Sequence, residues 1–127
     1  MYFYLDNLDI EYGVDDDLLI FIFINDTNHK IIIKYWSIQD GGHQEFIYSY
    51  KNNQKCGTQH QWYAIQHGGH QSSIENYKND QQHGTQYHWW PIQEGGHQAS
   101  ITNYKNGQQH GTQQYWKRDW SYITNHY

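Results

Sequence analysis

The 127-residue chain contains one cysteine, one proline and one methionine, and beyond Trp36 it has neither leucine nor valine. Each shortage excludes something. A lone Cys56 rules out an intrachain disulfide and fits a reducing compartment. The longest apolar run, LLIFIFI from Leu18 to Ile24, is seven residues, far short of the roughly 18–20 that a membrane-spanning helix requires. The opening MYFYLDNLDIEYG has no basic leader followed by an uninterrupted apolar stretch, so it does not read as a secretory signal and an intracellular, cytoplasmic chain is expected. Basic residues are scarce too, with 8 Lys and Arg against 13 Asp and Glu. Residues 1–29 carry −7 and the remainder only +2, well below the basic stripe that nucleic-acid binding needs.

With few aliphatic residues, aromatics must supply much of the packing. Tyr and Trp join a large apolar body to a polar tip, which suits a thin sheet whose rings are half covered and half wet. Their arrangement is periodic. A shift of 27 residues aligns three segments without a gap: YWSIQDGGHQEFIYSYKNNQKCGTQHQ from Tyr35, WYAIQHGGHQSSIENYKNDQQHGTQYH from Trp62, and WWPIQEGGHQASITNYKNGQQHGTQQY from Trp89. Such self-similarity marks a repeat architecture, in which a unit buries its apolar surface only against its neighbours. A fainter copy precedes them, FIFINDTNHKIIIKYW over IYSYKNNQKCGTQHQW, with His29 opposite Cys56. One repeat domain over 1–127 follows, with a degenerate cap at 1–34, units at 35–61, 62–88 and 89–115, and a charged aromatic cap at 116–127.

Within a unit, Thr58 to Gln66 reads as a strand rich in Thr, Trp, Tyr and Ile. HGGH, His67 to His70, turns the chain because paired glycines accept positive φ. A second strand runs from Gln71 to Tyr77, and KNDQQHG leads into the next unit. The third residue after each repeated Tyr is Asn53, Asp80 or Gly107, the types that most readily enter the left-handed region. Two strands and two turns per unit predict an all-β fold, an elongated meander of antiparallel hairpins with about eight strands and no substantial helix.

The string NYKNGQQHGTQQYW, Asn103 to Trp116, carries Y-x-x-G-x-x-x-G followed by an aromatic. It resembles the MORN repeat, in particular the variant labelled MORN-2 or YwqK-like, over roughly residues 35–116. Tyr50, Tyr77 and Tyr104 match the motif Tyr, Gly107 its first Gly, and Gly57, Gly84 and Gly111 its second. Trp62, Trp89 and Trp116 stand for the aromatic beyond it. The units are longer than is usual for that family, and Asn53 and Asp80 replace the first Gly in two of them. The resemblance implies a sheet of hairpins used for protein interaction, scaffolding or contact with phospholipid, and it names no substrate.

Four features are candidates for chemistry. The turns Asp40-Gly-Gly-His43, His67-Gly-Gly-His70 and Glu94-Gly-Gly-His97 each pair a carboxylate or imidazole with a His. Equivalent residues of successive two-strand units lie roughly 10 Å apart, so His43, His70 and His97 cannot share one zinc; two ligands per turn fall short of the four that a structural site takes. No metal or cofactor is therefore expected, and these His are read as solvent-facing turn residues. The aromatic ladder, Trp36, Trp62, Tyr63, Trp89, Trp90 and Trp116, is read first as cross-strand packing and second as a binding stripe for a protein or a sugar. Lys51, Lys78 and Lys105 form a row at the turns that would attract acidic lipid headgroups weakly. The ten His could raise the net charge on mild acidification.

Catalysis needs unlike groups converging once, whereas nearly everything here is tripled. A non-catalytic interaction or scaffolding module is expected, with a protein partner or self-association through the apolar first unit. A multivalent carbohydrate-binding module is the alternative, and a weak phospholipid binder a further one.

Overall fold

A computed structural model describes residues 28–127 in full and, before them, the backbone of three strands: β1 (Tyr2–Leu5), β2 (Ile10–Val14) and β3 (Leu19–Ile24). The side chains of LLIFIFI, one of the two apolar strands of the expected association surface, lie outside the described residues. Next come β4 (His29–Tyr35), β5 (Gln44–Lys51), β6 (Gln54–Lys55), β7 (Gly57–Trp62), β8 (Gln71–Lys78), β9 (Gln81–Gln82), β10 (Gly84–Trp89), β11 (Gln98–Lys105), β12 (Gln108–Gln109), β13 (Thr112–Trp116) and β14 (Tyr122–His126). All join one antiparallel sheet in the order β1-β2-β3-β4-β5-β7-β8-β10-β11-β13-β14, while β6, β9 and β12 pair with β5, β8 and β11 beside their turns. The meander is the one expected. It has eleven strands along its path because β1–β3 precede the eight that the repeats and their flanks supply.

Each unit carries two isoleucines, Ile38 and Ile47, Ile65 and Ile74, Ile92 and Ile101, and the register explains the second. Ile33, Ile47, His60, Ile74, Tyr87, Ile101 and Gln114 are successive cross-strand partners, one row across the sheet. The first isoleucine of each unit behaves differently. The strand expected over Thr58–Gln66 stops at Trp62, and Ile65–His67 forms a 3-10 turn after Ala64, whose carbonyl accepts the Gly69 N–H at 3.1 Å. Ile65 and Ile92 are therefore 55% exposed on stacked turns, each lying against the first glycine of the turn before it, and Ile38, on the first of the described turns of this kind, is 91% exposed.

Two positive-φ devices close each unit. Gly68 (φ 115) and Gly69 (φ 67) reverse the chain after the 3-10 turn, and a Cβ on Gly68 would sit 2.5 Å from His70 Nδ1. At the opposite end, Asn79 (φ 49) and Asp80 (φ 65) form the left-handed pair of a two-residue hairpin turn, as do Asn52 with Asn53 and Asn106 with Gly107. The same turns tie units together: the Asp80 N–H donates to the Lys55 carbonyl at 3.0 Å, and Asp80 Oδ1 accepts the Lys55 N–H at 2.6 Å.

The interior is polar. Among the described residues Ala64 is the buried hydrophobic side chain, and Gln86 and Gln113 are fully buried. Pairing of β8 with its returning partner explains this. Between the pairs Tyr77↔Gln82 and Ile74↔Tyr87, β8 contributes residues 75–76 and the returning chain residues 83–86. The two extra residues bulge out, with Gly84 at φ 94. Gln86 fills the opening as a surrogate peptide group: Oε1 accepts the Asn76 N–H at 2.7 Å and Nε2 donates to the Asn76 carbonyl at 2.9 Å. Gln59 does the same for Ser49 (2.8 and 2.9 Å), and Gln113 for Asn103 (2.9 and 2.8 Å).

The carboxyl-terminal strand copies a repeat strand out of step. Ile123-Thr124-Asn125 has the sequence of Ile101-Thr102-Asn103, yet Ile101 pairs with Tyr87 while Ile123 pairs with Tyr115, the equivalent of His88. The shorter connection Lys117–Ser121 causes the slip, and a one-residue slip exchanges the faces of every side chain.

Candidate functional site

The aromatic ladder divides into two sets with different roles. The second member of each pair is a hydrogen-bond donor to the next unit: Trp36 Nε1 to the Trp62 carbonyl (3.2 Å), Tyr63 Oη to that of Trp89 (2.6 Å) and Trp90 Nε1 to that of Trp116 (2.9 Å). Trp and Tyr interchange here because both end in a donor, which Phe lacks. Burial, then the nearby Glu94 carboxylate, raises the Tyr63 phenol above its ordinary range. The first members lie against their neighbours, Trp62 stacked with His60 (5.8 Å between centroids), Trp89 with Tyr87 (6.2 Å) and Trp116 with Tyr122 (5.9 Å).

The repeated histidines face the next unit rather than solvent, which corrects the reading of them as solvent-facing. The Nε2 atoms of His43, His70 and His97 lie 2.7, 2.9 and 2.8 Å from the carbonyls of Tyr63, Trp90 and Lys117. A carbonyl only accepts, so each Nε2 carries the proton and donates. The ring rests over the first glycine of its own turn, which is why GGH recurs as a unit. Among the described residues no group of three or more His, Cys, Asp or Glu comes together.

The motif residues also have local causes. Tyr50, Tyr77 and Tyr104 stand beside the hairpin turns opposite Lys55, Gln82 and Gln109. Gly57, Gly84 and Gly111 take the positive φ at which the returning chain bulges. Tyr77 Oη donates to Glu75 Oε2 at 2.8 Å; burial first, and this carboxylate second, push its pKa up to about 12. Lys51, Lys78 and Lys105 are exposed at the strand ends. Lys55 lies 5.0 Å over the Tyr77 ring.

Among the clefts that open between units, two are lined by members of the aromatic ladder. One, about 370 Å³, is lined by Trp36, Asp40, Trp62, Tyr63 and Ala64 with neighbouring turn residues. The other, about 600 Å³, includes Trp90, Tyr115, Trp116, Arg118 and Ile123. Asp40 stays ionised below the usual carboxylate range because Gln66 Nε2 and Ser37 Oγ donate to its two oxygens, at 2.5 and 2.9 Å. In the second cleft Arg118 pairs with Glu94 at 2.7 Å. Gln59, Gln86, Gln113 and the His–carbonyl bonds escaped sequence reasoning; the unvarying tripeptide Gly-Thr-Gln at 57–59, 84–86 and 111–113 was the available signal. No family model, curated protein or solved structure matches this chain.

Proposed function

We propose that the chain is a non-catalytic interaction module of MORN-like type, working inside the cell and engaging a protein surface, with a second copy of itself as the simplest partner. The reading is carried by one observation. The row Ile47, His60, Ile74, Tyr87 and Ile101 is half-buried on a single sheet, and the described strands all belong to that one sheet, with no second sheet or α-helix among the described residues packed on it. An apolar row without a covering layer is what a protein interface presents before association. Among the described residues no helix is long and apolar enough to cross a membrane.

The sugar-binding reading draws less support, because each of Trp62, Trp89 and Trp116 already stacks with a neighbouring ring. Sedimentation of the full chain over a wide concentration range tests the proposal. The mass should rise with concentration, and Ile74→Lys, which sets a charge in the middle of the row, should hold it at the monomer value. A wild-type chain that stays monomeric throughout would contradict self-association.

A further inference from the structure

We infer that the cleft between the first two units is a receptor for a guanidinium group, the arginine side chain of a protein partner. The basis is a comparison the molecule makes with itself. A shift of two units lays Trp36 on Trp90, Asp40 on Glu94, Trp62 on Trp116 and Ser37 and Ala64 on Pro91 and Arg118. In the later copy a cation already occupies the place: the Arg118 guanidinium lies 5.8 Å from the centroid of the Trp90 ring, and its Nη2 bonds Glu94 Oε1 at 2.7 Å. The earlier copy keeps the indole and the carboxylate but has Ala64 where Arg118 stands, so its cleft of about 370 Å³ is lined by no Lys or Arg, and His67 at its edge is the one imidazole there.

The chemistry of the earlier cleft suits a planar cation. Trp36, Trp62 and Tyr63 line it with aromatic surface, which attracts cations through the ring quadrupole. Each Asp40 oxygen holds one donor, Ser37 Oγ on Oδ2 and Gln66 Nε2 on Oδ1, and a carboxylate has about four acceptor positions. Room remains for a forked pair of N–H donors, the arrangement that distinguishes arginine from a point-charge ammonium. The middle copy lacks the feature: His67 takes the acid's position, with Nδ1 3.2 Å from Gln93 Oε1, and Tyr63 takes that of the indole.

This inference deepens the interaction-module reading and takes the source of the guanidinium from it; the site itself is tested with a free compound. N-acetyl-arginine amide is titrated into the full chain, followed by tryptophan fluorescence and the indole N–H resonances. Saturable binding at one site per chain in the millimolar range is expected, with the Trp36 and Trp62 indole signals moving. N-acetyl-citrulline amide, the uncharged isostere, should not saturate. Asp40→Asn, at a surface position, should weaken arginine binding by about five-fold or more, and Arg118→Ala should uncover a second site at Trp90 and Glu94. Equal binding of citrulline, an unchanged Asp40→Asn variant, or an Arg118→Ala chain that gains no second site would each overturn the inference. Arginine binding by a chain that never self-associates would keep this site and remove self-association. Self-association without arginine binding would do the reverse.

Discussion

Gln86→Ala removes the side chain that closes the sheet between β8 and β10. Gln86 is fully buried, Oε1 accepts the Asn76 N–H at 2.7 Å, and Nε2 donates to the carbonyls of Asn76 (2.9 Å) and Gly84 (3.2 Å). After truncation the Asn76 carbonyl keeps the His83 N–H at 2.9 Å, but the Asn76 N–H loses the acceptor that the structure gives it. A buried amide left unpaired costs about 1–3 kcal/mol, and each of the two other lost bonds about 0.5–1.5 kcal/mol net. The expected loss is about 2–6 kcal/mol, a large share of the roughly 5–15 kcal/mol by which domains are stable. Urea unfolding at equilibrium measures it. The half-exposed Gln114 in the apolar row is the control, and its change to Ala should cost less than about 1 kcal/mol. Gln86→Glu keeps an acceptor for the Asn76 N–H but turns a carboxylate toward two carbonyls, so at neutral pH it should be at least as damaging as Ala. A Gln86→Ala protein within about 0.5 kcal/mol of wild type, with an unchanged denaturant slope, would refute the surrogate-peptide role.

Two further changes probe separate causes. Gly68→Ala meets both a positive φ and a Cβ 2.5 Å from His70 Nδ1, whereas Gly57→Ala meets a positive φ with nothing within 4 Å; the strain of about 1–2 kcal/mol is common to both, so Gly68→Ala should be the more destabilising in thermal melts, and equal losses would remove the His ring from the explanation. Tyr77 should ionise near pH 12 in an ultraviolet titration of the folded chain. Its pKa is raised above the unfolded value of 10.0, so its stabilising contribution is complete below pH 10 and is lost as the pH rises toward 12; Glu75→Gln should bring the folded value down, and an unchanged titration would contradict the part assigned to that carboxylate.

Much of this architecture was legible in the residues, because the features that repeat are those that local backbone chemistry demands. Asn53, Asp80 and Gly107 announce a left-handed backbone by residue type, and each adopts it, as does the Asn before it, at 52, 79 and 106. Ile47, Ile74 and Ile101 recur at the repeat period, and the register sets them in one row. What misled was hydropathy taken alone. Ile65 and Ile92 look like packing residues but stand on the outside of turns, since a 3-10 turn ends the strand at Trp62 and Trp89. Gln59, Gln86 and Gln113 look like surface residues but are the most deeply placed among the described residues, because only the two-residue excess of the returning chain creates the opening they fill. The His of GGH and the second aromatic of each pair fall in the same class: their partners are carbonyls 20 and 26 residues away, a relation that composition does not carry. The cleft at Trp36 and Asp40 is defined by its counterpart at Trp90 and Glu94, which holds Arg118, a relation that no local sequence pattern carries.

Amide hydrogen exchange on the full chain tests most directly the claim that polar side chains, rather than an apolar interior, join the units of this sheet. The N–H groups of Ser49, Asn76 and Asn103 donate to Gln59, Gln86 and Gln113 side chains. They should be protected as strongly as the ladder amides of the same strands. Exchange at these three positions as fast as at the exposed turn residue Asn79 would contradict the account.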